Sequence, residues 1–309
     1  MSSDALELSA ANRYPGVSSV DALPNPEWKA HWERIICDGR LKSRLLNFAM
    51  FCLTSRQQIS QVGIPSHGFA LLTGPPGTGK TTLAYGLANR AAEELVARDL
   101  AERVLFVVID PHALPSEMLG ASQRATAQLF ERAIPDIAAE GSPVVVLFDE
   151  IEAVAVNRRQ ASAGTNPIDV HRSSQAVLTG IDTLARRCRN VLIIGTTNHT
   201  EAVDDALVSR ADLVEYMGKP PVDAAYEMLS DSLRDLALAS PVDDSVLREL
   251  AEECVRRSAD ARQIRKLVLR ALIAGDVDVA LSPSKLTSEQ LRSALTSGMF
   301  PLSSAGPAA

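Results

Sequence analysis

The sequence predicts an α/β domain built on a parallel sheet, followed by a smaller all-helical domain. Three observations carry this. A glycine-rich segment, GPPGTGKTT at residues 74–82, stands between an apolar run and a helix-forming run. Five short, nearly continuous apolar runs alternate with segments long enough for crossover helices, the pattern of parallel strands covered on both faces. After Pro220 and Pro221 the pattern turns helical throughout.

In chain order, residues 1–26 carry Ser, Asn, Pro and Gly with little periodicity and read as a flexible lead-in. Residues 27–56 change character. Trp28, Trp32, Ile35 and Ile36, then Leu41, Leu45, Phe48, Ala49 and Cys52, recur at helical spacing, so two helices are expected with a break near Asp38 and Gly39. The tryptophans are expected to anchor this segment on the main domain. Strands follow at 69–73, 104–109, 144–148, 191–196 and 213–217, with crossover helices at 83–98, 117–139 and 168–187. The α/β domain is therefore expected over 27–220, a helical domain over 221–300, and a frayed tail over 301–309. In the helical part, Val222, Ala225, Leu229, Leu233 and Leu236 form one apolar stripe, and Ile264, Leu267, Val268, Ala271 and Leu272 another.

Composition bounds the function. Of 309 residues, 46% are apolar, enough for a substantial core, and only 4% are aromatic, so that core is aliphatic. A net charge of −7 argues against a dedicated nucleic-acid binder, which needs a basic surface. The four cysteines are widely spaced with no CxxC, and are expected to be reduced rather than to hold zinc. The start, MSSDALELSA, lacks the basic and apolar parts of a signal peptide, and no apolar run approaches membrane-spanning length. The expected compartment is the cytoplasm, with no membrane partner.

The chemistry is concentrated at 74–82. Glycines let the backbone curl so that successive N–H groups face anionic oxygens, and the following helix N-terminus adds partial positive charge. Gly74, Pro75, Pro76, Gly77, Thr78, Gly79, Lys80, Thr81 and Thr82 are thus the candidate phosphate cradle for ATP. Lys80 is placed to reach the β- and γ-phosphates, and the Thr81 hydroxyl to ligate Mg²⁺. The third strand ends in Asp149 and Glu150. Alone, such a pair is an ordinary acidic surface feature. At the C-terminal end of a parallel strand beside a phosphate loop, Asp149 is the expected second metal ligand and Glu150 the base that polarises water. The fourth strand leads to Asn198, a group suited to positioning that water or sensing the γ-phosphate. Arg210 has no obvious phosphate to reach in its own subunit; in a ring it points into the neighbour's site as a finger. Arg262, at the start of a helix in the second domain, is a candidate to close over the nucleotide. The five histidines are scattered without metal-ligand spacing, and His112 and His199 are set aside as loop residues.

These residues resemble AAA+ ATPases, and within them the pachytene-checkpoint family, which remodels HORMA-domain proteins. The resemblance spans roughly residues 32–271 and rests on LLTGPPGTGKTTL, VVVLFDEIEAV, AVLTGIDTLARRCRNVLIIGTTN, DDALVSRADLVEYMGKPP and ARQIRKL. It implies a P-loop NTPase fold with a five-stranded parallel sheet ordered 5-1-4-3-2 and a C-terminal helical lid. It also implies a homohexameric ring whose pore grips a polypeptide, with Met118 and Leu119 as the gripping residues where family members usually present an aromatic. Residues 155–169 resemble a second pore loop. Eukaryotic members carry an N-terminal recruiting domain, and the short segment ahead of residue 27 resembles instead the bacterial short forms of CBASS antiphage systems. That implies a HORMA-protein substrate and, through it, a cGAS-like nucleotidyltransferase that the ATPase switches off.

Two rivals use the same loop. An AAA+ loader acting on nucleic-acid complexes is opposed by the acidic balance and by the lack of a helix-turn-helix pattern. A small-molecule phosphotransferase is opposed by Glu150 and by the helical domain.

Overall fold

The computed structural model describes residues 14–59, 63–114, 121–155 and 167–296. Among these residues the chain divides into two compact units. One comprises the residues up to Gly74 together with Lys80–Tyr216; the other comprises Pro75–Gly79 and the residues from Met217 onward.

The first unit is organised by a six-stranded sheet. In chain order its elements are β1 (Val17–Leu23), α1 (Lys29–Glu33), α2 (Gly39–Leu53), β2 (Phe69–Thr73), α3 (Lys80–Ala97), β3 (Val104–Ile109), α4 (Ala121–Gln128), α5 (Ile134–Ala138), β4 (Val144–Phe148), α6 (Pro167–Arg187), β5 (Val191–Thr197), α7 (Asp205–Val208) and β6 (Leu213–Tyr216). The sheet order is β1-β3-β4-β5-β2-β6. All pairs from β3 to β6 are parallel. Counted from β2 as the first strand, these five stand in the expected order 5-1-4-3-2. Strands β2 and β4 are buried at every position, because helices cover both faces and leave no side that could be polar.

The sixth strand corrects the reading of residues 1–26 as a lead-in. Val17–Leu23 pairs antiparallel with β3 and buries Val17, Val20 and Leu23. Its register shifts between Val17 and Ser19. Such an irregularity breaks the two-residue alternation by which a half-buried strand is recognised, and the Ser and Asp residues between the apolar ones complete the disguise.

Residues 27–56 form two helices with Asp38 as the N-cap of the second, its carboxylate accepting from the Arg40 N–H at 2.8 Å. Trp28 packs edge-on against Tyr85 and Phe106, at 4.9 and 5.3 Å between ring centroids, which anchors the segment on α3 and β3. Gly86 permits this approach: a β-carbon there would lie 2.6 Å from the Trp32 backbone nitrogen. Under the other face, Phe130 stacks on Phe148 at 5.5 Å. The segment joining α4 to α5, Leu129–Ala133, is a π-helical turn.

The second unit is helical: α8 (Val222–Arg234), α9 (Asp244–Arg256), α10 (Ala261–Ala274), α11 (Val277–Leu281) and α12 (Ser288–Thr296). The stripes at Ala225, Leu229 and Leu233 and at Ile264, Leu267, Val268 and Ala271 are buried, as amphipathic faces must be. Among the described residues no helix is long and apolar enough to cross a membrane.

Candidate functional site

Strand β2 delivers the chain to Gly74, and the glycines at 74, 77 and 79 take φ angles of 139°, 78° and 95°. These left-handed values strain any side chain, so the spacing of the glycines reflects the backbone path itself. Helix α3 then starts at Lys80. The Lys80 side chain is buried, and Nζ donates to the Gly74 carbonyl at 2.7 Å. Burial lowers the Lys80 pKa, while the nearby carboxylates of Glu152, Asp149 and Glu150 oppose that shift.

The Thr81 hydroxyl donates to Oδ1 of Asp149 at 2.7 Å, and the Thr196 hydroxyl donates to the same oxygen at 2.6 Å. Thr196 Oγ1 in turn accepts from the Glu150 backbone N–H at 3.0 Å. Glu150 has φ 56°, an uncommon conformation for a residue with a side chain, and one that recurs at functional sites. Asn198 Nδ2 donates to Oε1 of Glu150 at 3.1 Å, and the Asn198 backbone N–H donates to Oε1 of Glu152 at 3.1 Å. The ends of β2, β4 and β5 thus bring Thr81, Asp149, Glu150 and Asn198 into one hydrogen-bonded cluster at the C-terminal edge of the sheet, where open α/β sheets bind ligands. The Lys80 ammonium is close enough to feel the carboxylates.

In the second unit, the backbone N–H of Arg262 donates to the Gly77 carbonyl at 3.2 Å, while the Arg262 side chain is exposed. Helix α10 opens with a capping box, in which Asp260 Oδ1 accepts from the Gln263 N–H at 2.8 Å and Gln263 Oε1 accepts from the Asp260 N–H at 2.9 Å. A β-carbon on Gly77 would collide with the Asp260 carboxylate. Within the loop, Thr78 Oγ1 donates to the Pro75 carbonyl at 3.0 Å. Pro76 and Thr82 are exposed.

Arg210 stands apart from this cluster. Its Nε and Nη2 donate to the two carboxylate oxygens of Asp182 at 2.8 and 2.9 Å, and Nη1 donates to the Ala206 carbonyl at 2.9 Å. Met118 and Leu119 lie outside the described residues, as do 156–166 of the second expected pore segment. Cys37, Cys52, Cys188 and Cys254 are free thiols.

Three members of the cluster, Thr196, Glu152 and His112, are not among the site residues expected from the sequence. Thr196 and Glu152 hold Asp149 and Asn198 from the next strand and the next turn, and a Thr in a buried strand carries no signal of its own. His112, by its sequence an ordinary loop residue, places Nε2 3.2 Å from Oε2 of Glu150. Its position just past the end of β3, on the same sheet edge, was the available clue.

Among the described residues no group of three or more His, Cys, Asp or Glu could hold an ion. Thr81 and Asp149, two oxygen donors joined at 2.7 Å, fit instead a magnesium ion that keeps its waters and shares substrate phosphates.

A profile of the ATPase family associated with various cellular activities (AAA) matches residues 70–219. The chain is 41% identical over 285 residues to CD-NTase-associated protein 6 of Pseudomonas aeruginosa, covering 91% of each. It is 35% identical over 230 residues to a putative pachytene checkpoint protein 2 of Caenorhabditis elegans, covering 74% of this chain and 53% of that one. It therefore spans about half the length of that eukaryotic relative. Among solved structures, the E. coli MS115-1 HORMA:CdnC:Trip13 complex contains a chain that superposes with a TM-score of 0.76 at 17% identity, covering 91% of this chain and 95% of that one. At that identity the match speaks for the fold.

Proposed function

This chain belongs to the pachytene-checkpoint family of AAA ATPases, and from that premise we propose that it is an ATP-driven remodeller of a HORMA-domain protein, working as a homohexamer. We further propose that its client is the HORMA regulator of a cGAS-like nucleotidyltransferase in a CBASS system, so that remodelling switches the nucleotidyltransferase off. The near full-length similarity to a CD-NTase-associated protein supports that setting.

The observation that carries the enzymatic part is the unbroken chain of contacts Thr81–Asp149–Thr196–Glu150–Asn198. ATP is the substrate. The glycine loop supplies backbone N–H groups to its phosphates, and Lys80 supplies a buried cation. Magnesium, which Thr81 and Asp149 would hold, neutralises phosphate charge when bound. Glu150 receives the proton of the attacking water as the water oxygen bonds to the γ-phosphorus and the bond to ADP breaks. Asn198 fixes the Glu150 carboxylate during that transfer. Arg210 acts on the adjacent copy's site, where it meets the charge developing on the γ-phosphate. Met118 and Leu119 are the proposed grip on the client.

The test uses Glu150→Gln in the full chain. It is expected to bind ATP, to lose phosphate release by roughly 10²-fold or more, and to retain a bound HORMA protein that the wild type releases. Hydrolysis at the wild-type rate would overturn the role of Glu150. Turnover that is neither stimulated by nor acts upon a HORMA–peptide complex would overturn the client.

A further inference from the structure

Arg210 sits in a setting that its expected role does not by itself require. It follows α7, on the first unit, and none of its hydrogen bonds reaches Lys80, Thr81, Asp149, Glu150 or Asn198. Its anionic partner is Asp182, on α6. The pair is bidentate, Nε to Oδ1 and Nη2 to Oδ2, at 2.8 and 2.9 Å. That geometry fixes the plane of the guanidinium as well as its position. The third bond, Nη1 to the Ala206 carbonyl at 2.9 Å, fixes the remaining rotation. Three of the five guanidinium N–H groups are thereby engaged. The two that remain, one on each Nη, belong to a side chain that is 25% exposed.

Asp182 is itself held from a second side. His67 Nε2, in the segment before β2, lies 3.4 Å from the same Oδ1 that receives Arg210 Nε, and His67 Nδ1 lies 3.9 Å from Asp212. The carboxylate is thus wedged between two loops at the sheet margin. It remains ionised because the Arg210 hydrogen bonds hold its pKa below the usual carboxylate range.

We propose that Asp182 is a positioning residue for ATP hydrolysis in the neighbouring copy: it clamps Arg210 in one plane and leaves two N–H groups to meet the neighbour's γ-phosphate. This rests on the reading of Arg210 as a finger acting in trans. A long arginine side chain that must cross between copies loses effect if it samples many rotamers before the phosphate arrives, and small misplacements are costly in rate. A bidentate clamp removes that freedom in advance. A merely structural ion pair would contribute to folding and nothing to turnover.

The experiment measures steady-state hydrolysis by the assembled full-length chain with Asp182→Ala, Asp182→Glu, Asp182→Asn and Arg210→Ala. Asp182→Ala is expected to lower kcat by about 10–100-fold with KM for ATP unchanged. Asp182→Glu, which keeps a bidentate acceptor, is expected to recover part of the loss. Mixing Asp182→Ala chains with Glu150→Gln chains, which do not hydrolyse but present an intact Asp182–Arg210 pair, is expected to raise turnover per Asp182→Ala site. If Asp182→Ala does not fold, the isosteric Asp182→Asn replaces it in every arm. Wild-type kcat in the Asp182 variants with a dead Arg210→Ala overturns the clamp and leaves the finger standing. Wild-type kcat in Arg210→Ala overturns the finger reading itself. A loss that mixing does not relieve overturns the clamp, because the defect then lies within the variant's own subunit.

Discussion

Asn198 Nδ2 donates to Oε1 of Glu150 across 3.1 Å, joining the segments that leave two adjacent parallel strands, β4 and β5. Phe148 pairs with Gly195 in that ladder, so the two side chains meet because each sits two or three residues past a register point that the sheet itself sets. A hydrogen bond to a charged group contributes about 1.5–3 kcal/mol, or roughly 10–100-fold in rate if it is needed in the transition state. Asn198→Ala is therefore expected to lower kcat by about that factor while ATP affinity stays near wild type. Single-turnover phosphate release beside equilibrium binding of a fluorescent ATP analogue checks this. A variant that loses binding instead would make Asn198 a ligand contact rather than a partner of Glu150.

What could be read from the sequence depended on how local the signal was. The strand–loop–helix at 69–97 and the Asp149–Glu150 pair were legible because residue type, spacing and flanking periodicity coincide within a dozen positions. The strand β1 was not. Its alternation is broken by the register shift next to Val17, and an edge strand with Ser19 and Asp21 on it resembles a polar leader. The partners of Arg210 were out of reach for another reason: Asp182 lies 28 residues away on a helix, one of many surface acids, and only the fold selects it. Thr196 and His112 belong to the same class, being brought to Glu150 by sheet order alone.

Gly77 combines a φ of 78° with a close approach to the Asp260 carboxylate. Alanine there must hold a left-handed backbone, a cost of about 1–3 kcal/mol. It must also push Asp260 off the N-terminus of α10, where loss of the cap costs about 1 kcal/mol. Gly77→Ala is expected to lower the urea midpoint and to weaken ATP binding. Gly39→Ala is the matched control. Gly39 opens α2 with nothing within 4 Å of an added β-carbon, and alanine there is expected to stabilise by about 0.4–1 kcal/mol. Equal effects at the two glycines would refute the collision with Asp260.

The Asp182–Arg210 pair also leaves a mark on stability in acid. The Asp182 pKa is depressed in the folded chain, first by the Arg210 hydrogen bonds and then by nearby positive charge. Its contribution is therefore present above the unfolded carboxylate value of about 3.9 and is lost as pH falls through the lower folded value. The stability difference between wild type and Asp182→Asn is expected to shrink as the pH falls below about 4. Other acids with depressed pKa values, Glu249 and Glu253, are common to both proteins and cancel in the difference. A gap that widens as the pH is lowered below about 4 would contradict the sign.

The cysteines give a test of packing that does not depend on activity. Burial pushes the Cys52 and Cys254 thiols up to about 12, and both residues are fully enclosed by their helices' apolar faces. Cys188 is also buried, and its pKa is raised by the same cause. Cys37 is half-buried in the turn before α2. Burial raises its pKa too, but the nearby Lys42 ammonium opposes that, and the turn gives reagents a path to the sulfur. Because the thiolate is the reactive form and access limits attack, Cys37 is expected to label first with a maleimide at pH 7.5. Cys52, Cys188 and Cys254 are expected to react only as fast as the chain opens, so that adding urea below the unfolding midpoint speeds them and leaves Cys37 nearly unchanged. Mass spectrometry of the labelled peptides decides the order. Early modification of Cys52, on the helix that packs beneath the sheet, would mean that α2 leaves its site far more often than its burial allows.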